Sequence, residues 1–260
     1  MSHSIRSLRA LFICAVGTAC SDPATTQDPS VTSVLFIGNS LTYANDLPQT
    51  TAGIALSAGF MMEASDVSRG NTALIDYFHD NGAVLRTIDQ GSWDYVVLQQ
   101  GPTWPGLCRD TLVMATAMFA ERIRARGGTP LLLMPWARVA DMPSLGSVHA
   151  AYAQAAMAAG IMLLPVGDAW RIALQNDPSL PLYDSDDYHP APLGTYLAAL
   201  VVYEKLTGRD ARQLSPDLVV GGVNLSIPEA RVRLLQEAAH SANNAVAPQR
   251  KSGTIAAITC

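Results

Sequence analysis

Two short blocks hold residue types that could perform acyl transfer together. The first, Phe36-Ile37-Gly38-Asn39-Ser40-Leu41-Thr42, runs from a hydrophobic strand-like stretch into Gly-Asn-Ser and then a helix-forming segment. A serine at such a strand end exposes its hydroxyl, and the N–H groups of the following turn lie near enough to bind a developing oxyanion. Taken alone, the block also fits a plain turn in which Ser40 caps the next helix. The second block is Asp184-Ser185-Asp186-Asp187-Tyr188-His189-Pro190. A neutral imidazole can take a serine's proton, and a carboxylate on its other nitrogen fixes tautomer and orientation. Asp186, three residues before His189, is the favoured partner, with Asp184 and Asp187 left open. The competing reading is a surface histidine among solvated acids.

These blocks need a scaffold that brings them together. From Val31 onward, short apolar or β-branched runs alternate with longer helical or Ala-rich segments, the pattern of a parallel sheet with helices on both faces. The expected strands are Ser33–Ile37, Met61–Val67, Tyr95–Gln99, Pro130–Met134 and Met162–Val166. The expected helices are Leu47–Ala58, Thr72–Gln90 with a break at Asn81-Gly82, Leu112–Arg126 and Leu145–Ala158. Two more follow: Pro192–Leu206, stopped by Thr207-Gly208, and Pro228–Ser241, with Ser226 as a cap; only Leu218–Val220 reads as strand between them. In open α/β sheets ligands bind beyond the carboxyl ends of strands. Both blocks belong there.

At these residues the chain resembles the SGNH/GDSL hydrolases. Gly38-Asn39-Ser40-Leu41 is similar to that superfamily's Gly-Asp-Ser-Leu block, and Asp186-x-x-His189 to its C-terminal Asp-x-x-His block; the likeness spans about Val31 to Gly208. It implies a single-domain three-layer α/β/α sandwich, flavodoxin-like, with a mostly parallel five-stranded sheet. It also implies a triad of Ser40, His189 and Asp186, with oxyanion donors from the backbone of Ser40 and Gly70. Gly70 follows the second strand in Ser68-Arg69-Gly70-Asn71-Thr72, and a glycine there lets the N–H approach substrate closely. The family's next block, Gly-x-Asn, is absent: the third strand ends Val97-Leu98-Gln99-Gln100-Gly101. Gln100, slightly preferred, or Gln99 is the expected substitute. Asn39, Trp104, Trp136 and Arg138 are further candidates to touch substrate, although both tryptophans suit packing equally well. Asp168 suits a helix cap as well as a substrate contact, and His79, His149 and His240 are expected to face solvent from helices.

Composition limits the function. The 260 residues are 49% hydrophobic and 15% charged, with a formal charge of −5. This is a globular composition, and without a basic run nucleic acid is an unsuitable partner. No phosphate loop, His-x-x-x-His pair or cysteine cluster occurs, so no cofactor or metal is implied. Arg6 and Arg9 precede an apolar stretch, Leu11 to Ala19, and Val16-Gly17-Thr18-Ala19-Cys20 resembles a bacterial lipobox. Residues 1–19 are therefore expected to be an export signal and Cys20 the lipid site. The polar segment 20–30 would be a tether, 31–243 the hydrolase domain and 244–260 a loose tail. Membrane contact would come only through the N-terminal lipid, in the bacterial envelope, at the periplasm or outer membrane. Export permits a Cys108–Cys260 disulfide, and two separate thiols fit as well.

The resulting expectation is an exported serine esterase that removes acyl groups, above all O-acetyl groups, from carbohydrate. Two alternatives stand beside it: a lipase or thioesterase using the same residues, and a non-catalytic glycan-binding lipoprotein.

Overall fold

The computed structural model describes residues 31–80, 82–103, 107–216, 219–220, 223–224 and 227–245. The expected signal, tether and lipid site at Cys20 lie outside the described residues, as do Trp104, Ser226, Leu218, Cys260 and the tail beyond Ala245.

Five strands, β1 (Thr32–Ile37), β2 (Met62–Asp66), β3 (Tyr95–Gln99), β4 (Thr129–Leu133) and β5 (Met162–Leu164), form one sheet. Their order is β2-β1-β3-β4-β5, and every neighbouring pair is parallel. The strand order reverses beside β1, where β2 lies on one flank and β3 on the other, so the carboxyl end of β1 opens at a topological switch point.

Alternation along the strands builds two cores. Val34, Phe36, Val97, Leu131 and Leu133 pack on one face with α2 (Leu47–Ser57), α7 (Val166–Asn176), α8 (Pro192–Thr207) and α9 (Glu229–Ala245). Leu35, Ile37, Val96, Leu98 and Leu132 pack on the other with α4 (Ala83–Gln90), α5 (Leu107–Ala125) and α6 (Leu145–Ala159). With both faces covered, the strands read as near-continuous apolar runs. Each fully buried Leu or Phe contributes about 1.5–3 kcal/mol against conformational entropy. The sheet is thus a rigid platform for the loops at its edge.

The three-layer α/β/α architecture and parallel five-stranded sheet agree with the sequence reading, but several boundaries move. The segment expected as a helix over Thr72–Gln90 begins as turns, then forms α3 (Asp76–His79) and α4, with Gly82 left-handed at φ 74° between them. Strand β5 ends at Leu164 because Pro165 lacks an N–H, and Val166 already starts α7, a helix start the apolar run concealed. Helix α5 starts five residues before the expected Leu112. Helix α9 runs through Ala245, so the expected loose tail starts at least two residues too early. Val219–Val220 pairs antiparallel with Val223–Asn224, a small ribbon of which only the first half was expected. Cys108 is exposed. No helix among the described residues is long and apolar enough to cross a membrane.

Candidate active site

Ser40 is the first residue of α1 (Ser40–Tyr43), directly beyond β1. Asn39 is extended (φ −127°), and its side-chain oxygen accepts the N–H of Leu41 at 3.1 Å. The cap is therefore Asn39, which leaves the Ser40 hydroxyl free of capping duty. Behind the turn, Gln99 Oε1 accepts from the backbone N–H of Asn39 at 2.9 Å and from Thr42 Oγ1 at 2.8 Å. A Cβ on Gly38 would lie 2.2 Å from Thr42 Oγ1 and 2.6 Å from Gln99 Oε1, so only glycine admits this brace. The Gly38 carbonyl accepts from the Tyr77 hydroxyl at 2.6 Å and from the Arg69 N–H at 3.1 Å. Burial pushes the Tyr77 hydroxyl up to about 12, which keeps it a proton donor.

The second block folds into a tight loop before α8. The Asp184 N–H donates to the His189 carbonyl at 2.8 Å, and Asp187 turns the chain with a left-handed φ of 58°. Asp186 Oδ1 accepts the N–H groups of Tyr188 (3.0 Å) and His189 (2.8 Å), while Oδ2 lies 2.5 Å from His189 Nδ1. The hydrogen bond from the His189 ring, then those from the backbone, hold the Asp186 carboxyl down at about 2. Because Nδ1 donates to this carboxylate, a neutral ring presents Nε2 as an acceptor. Nε2 is 2.8 Å from Ser40 Oγ, across 149 positions of chain.

Several contacts hold the loop against the rest of the edge. Trp136, after β4, donates its Nε1–H to the Tyr188 carbonyl at 2.9 Å and stacks on Trp170 at 4.0 Å with the rings 4° apart. The Val139 N–H donates to the Asp187 carbonyl at 3.1 Å, and the Tyr183 hydroxyl to the Ala137 carbonyl at 2.8 Å. From the serine side, Asn45 Nδ2 donates to the Pro190 carbonyl at 2.6 Å. Asn45 and Asp46 both have left-handed backbones, and Asp46 then caps α2 through Gln49. Sequence reasoning missed Asn45, although Asn45-Asp46-Leu47-Pro48 is a turn-and-helix-start signal.

The oxyanion side lies next to Ser40. The bond from Arg69 to Gly38 draws the segment after β2 alongside the serine turn, and a Cβ on Gly70 would sit 2.9 Å from the Tyr43 hydroxyl. Among the described residues, the backbone N–H groups of Ser40 and Gly70 have no hydrogen-bond acceptor. These are the free donors such a site requires.

The two glutamines require correction. Strand parity sends them to opposite faces: Gln99 follows Val97 toward α1, and Gln100 follows Leu98 toward the other core. Gln99, not the preferred Gln100, reaches the serine turn, but it meets that turn as an acceptor and spends its amide on the Gln100 carbonyl at 2.6 Å. Its orientation is dictated by the Asn39 N–H, which needs an oxygen opposite it. Gln100 bridges the Leu74 N–H at 3.0 Å and Thr103 Oγ1 at 3.0 Å. Its carbonyl accepts from the Tyr152 hydroxyl at 2.6 Å. Both side chains are structural braces.

Other assignments also change. Trp136 is 1% exposed and supports the loop from beneath, so it does not meet substrate. Asn39 is 7% exposed and serves as the helix cap, with a long 3.4 Å contact from Nδ2 to the Thr72 carbonyl. Arg138 is exposed, its guanidinium carbon 4.4 Å from the centre of the Tyr188 ring. Asp184 Oδ1 accepts the Ser185 N–H. Asp168 is no cap: it pairs with His149 at 2.6 Å. His240, only 22% exposed, pairs with Glu204 at 2.8 Å, and neither histidine simply faces solvent.

Glu204, Asp210 and His240 place ligand-type atoms within 4.8 Å of one another. Arg212 already contacts both Asp210 oxygens, so this group is an ion-pair cluster tying α9 to the far end of α8. A shallow cavity lined by Arg124, Thr129, Pro130 and Met162 opens at the amino ends of β4 and β5, the sheet edge opposite Ser40. The chemistry-bearing groups are elsewhere, on an open surface: the side chains of His189 and Asp186 are 34% and 49% exposed.

Solved structures share this architecture. A protein from Slackia heliotrinireducens proposed to be an SGNH hydrolase superposes with a TM-score of 0.56 at 28% identity, covering 68% of this chain and 100% of its own. A DUF4886 family protein from Bacteroides uniformis gives a TM-score of 0.70 at 20% identity, covering 86% of this chain and 98% of its own. An acetyl xylan esterase gives 0.53 at 15% identity, covering 67% of this chain and 99% of its own. No protein-family model and no curated protein matches the chain.

Proposed function

From a chain related to the SGNH/GDSL hydrolase superfamily, we propose a serine ester hydrolase in which Ser40 is the nucleophile, His189 the base and Asp186 its orienting carboxylate. The single observation that carries this reading is the unbroken relay from Asp186 Oδ2 to His189 at 2.5 Å and from His189 to Ser40 Oγ at 2.8 Å. In the first step Ser40 Oγ attacks the ester carbonyl carbon as its proton passes to His189 Nε2. The tetrahedral oxyanion takes hydrogen bonds from the backbone N–H groups of Ser40 and Gly70. The imidazolium then protonates the departing alcohol, leaving an acyl-enzyme on Ser40. Water, deprotonated by the same imidazole, attacks that ester, and the acid is released as Oγ regains its proton.

With both glutamines committed to bracing, this oxyanion site relies on two backbone donors. Loss of one donor typically costs about 10²–10³ in turnover, so a slower catalyst than a three-donor relative is expected. The open surface around His189 suits an acyl group displayed on a larger body, which supports O-acetylated carbohydrate as substrate over a long acyl chain held in a tunnel. A neighbour of the same fold is an acetyl xylan esterase. Export, lipid attachment at Cys20 and an envelope location complete the proposal, on the strength of the sequence from Leu11 to Cys20. So does the division into a tether (20–30) and a hydrolase domain that runs from residue 31 through the end of α9 at Ala245.

The test is hydrolysis of p-nitrophenyl acetate and of a long-chain p-nitrophenyl ester by wild type and Ser40→Ala. Wild type should cleave the acetate and strongly prefer it, and Ser40→Ala should fall by on the order of 10⁴-fold or more. Equal rates in the two proteins would refute the assignment, and preference for the long chain would refute the substrate class.

A further inference from the structure

Arginines on the described surface are generally neutralised: Arg122 closes on Asp89, Arg212 on Asp210 and Arg231 on Asp177. Arg138 differs, because among the described residues its guanidinium has no carboxylate or carbonyl acceptor. It is held instead by an aromatic face, 4.4 Å from the centre of the Tyr188 ring. Tyr188 in turn meets the His189 ring edge to face at 5.2 Å. One aromatic ring therefore separates this unpaired cation from the proposed catalytic imidazole.

The backbone around Arg138 is fixed as well. Tyr183 binds the carbonyl of Ala137 and Val139 binds the carbonyl of Asp187, so the residues on both sides of Arg138 are tied to the segment that carries His189. A guanidinium held over an aromatic face spends none of its N–H groups on that contact, so they stay available to acceptors. Of the neighbouring acids, Asp186 is engaged with His189 and the loop backbone and Asp184 with Ser185, and among the described residues neither Asp187 nor Asp141 forms an ion pair with Arg138. A fork of this kind matches a carboxylate carried by the substrate.

We propose that Arg138 is a specificity-determining residue, binding a carboxylate on the sugar that bears the ester or on its neighbour. The preferred substrates are then O-acetylated acidic glycans, those containing uronic acids or other sugar acids. This rests on the esterase reading above. Binding at Arg138 adds no chemical step; it orients the glycan so that the acetyl carbonyl meets Ser40. The contact is an ion pair on an open surface, so the benefit falls on kcat/KM and weakens with salt.

The experiment compares acetate release from O-acetylated oligogalacturonate with release from the same material after its carboxylates are converted to methyl esters. Cleavage of p-nitrophenyl acetate is followed in parallel. Wild type at low ionic strength should favour the acid form by about tenfold or more in kcat/KM. Arg138→Gln should bring that ratio close to one, and Arg138→Lys, which keeps the charge without the fork, should recover part of it. Tenfold higher salt should shrink the wild-type ratio. An equal rate on the two forms, release from neither while p-nitrophenyl acetate is cleaved, or an unchanged ratio in Arg138→Gln would overturn the role of Arg138. Failure of wild type to cleave p-nitrophenyl acetate would overturn the esterase reading and this inference with it.

Discussion

Two carboxylate–imidazole pairs of nearly the same geometry lie beyond the carboxyl ends of the strands. His189 Nδ1 meets Asp186 at 2.5 Å, and His149 Nδ1 meets Asp168 at 2.6 Å. The first pair is built within one loop and has Ser40 Oγ at 2.8 Å from its other nitrogen. The second bridges α6 and α7, shares its carboxylate with Arg171 at 3.5 Å, and among the described residues has no hydroxyl at the other nitrogen. An acid beside an imidazole is thus readily formed wherever two polar surfaces meet. What distinguishes the first pair is a nucleophile held by Gln99, Asn45 and Gly38, with two unused N–H donors beside it.

The widest separation between the pairs should appear in turnover. His189→Ala is expected to reduce kcat on p-nitrophenyl acetate by on the order of 10⁴-fold or more, while His149→Ala stays within about twofold of wild type. Similar losses in both variants would erase the distinction. The carboxylates should follow suit, slightly less severely. Asp186→Asn removes the acceptor that fixes the His189 tautomer and should cost roughly 10³–10⁴-fold, whereas Asp168→Asn and Asp184→Asn should leave kcat near wild type. A large loss in Asp184→Asn would reassign the partner of His189.

A smaller effect tests the donors that only the first pair possesses. In Gly70→Ala the new Cβ would lie 2.9 Å from the Tyr43 hydroxyl, so either the tyrosine or the Gly70 backbone must shift. The expected result is a fall in kcat of up to about 10²-fold with KM little changed. Tyr43→Phe in the same protein removes the conflicting oxygen and should restore part of the rate. A loss that Tyr43→Phe leaves wholly unrelieved would contradict this account of the clash.

The smallest effect belongs to the second pair. The Asp168 hydrogen bond, the largest cause, raises the pKa of His149 above the ordinary histidine value near 6.5. A raised histidine contributes stability that is complete below about pH 6.5 and is lost as pH climbs through the higher folded value. Thermal melts of wild type and His149→Ala should therefore differ more at pH 6 than at pH 9. With the His149 side chain 39% exposed, screening keeps the difference well under about 1 kcal/mol. A gap that widens with pH would mean the pair is not formed as described.

What could be read from the sequence follows from range along the chain. Gly38-Asn39-Ser40 and Asp186-x-x-His189 are local blocks, and short apolar or β-branched runs located all five strands to within a few residues. The roles of Gln99 and Gln100 depended on strand parity relative to β1, which no local pattern carries. His149 and Asp168 lie 19 positions apart on two helices, so their pairing required the packed structure. Trp136 read equally as a pocket wall or as packing because it follows a strand at the active edge, and its stacking on Trp170 settles it as packing. Asp168 read equally as a cap or a substrate contact because the helix start at Val166 was hidden in a strand-like run.

The most direct test of the central claim is covalent. Wild type, Ser40→Ala and His189→Ala are treated with a fluorophosphonate ester, which transfers its phosphonyl group to an activated serine oxygen as fluoride leaves, and the products are mapped by peptide mass spectrometry. The relay predicts one phosphonyl adduct in wild type, on the peptide containing Ser40, no adduct in Ser40→Ala, and labelling slowed by orders of magnitude in His189→Ala. An unlabelled Ser40 in wild type, or labelling at the same rate without His189, would contradict it.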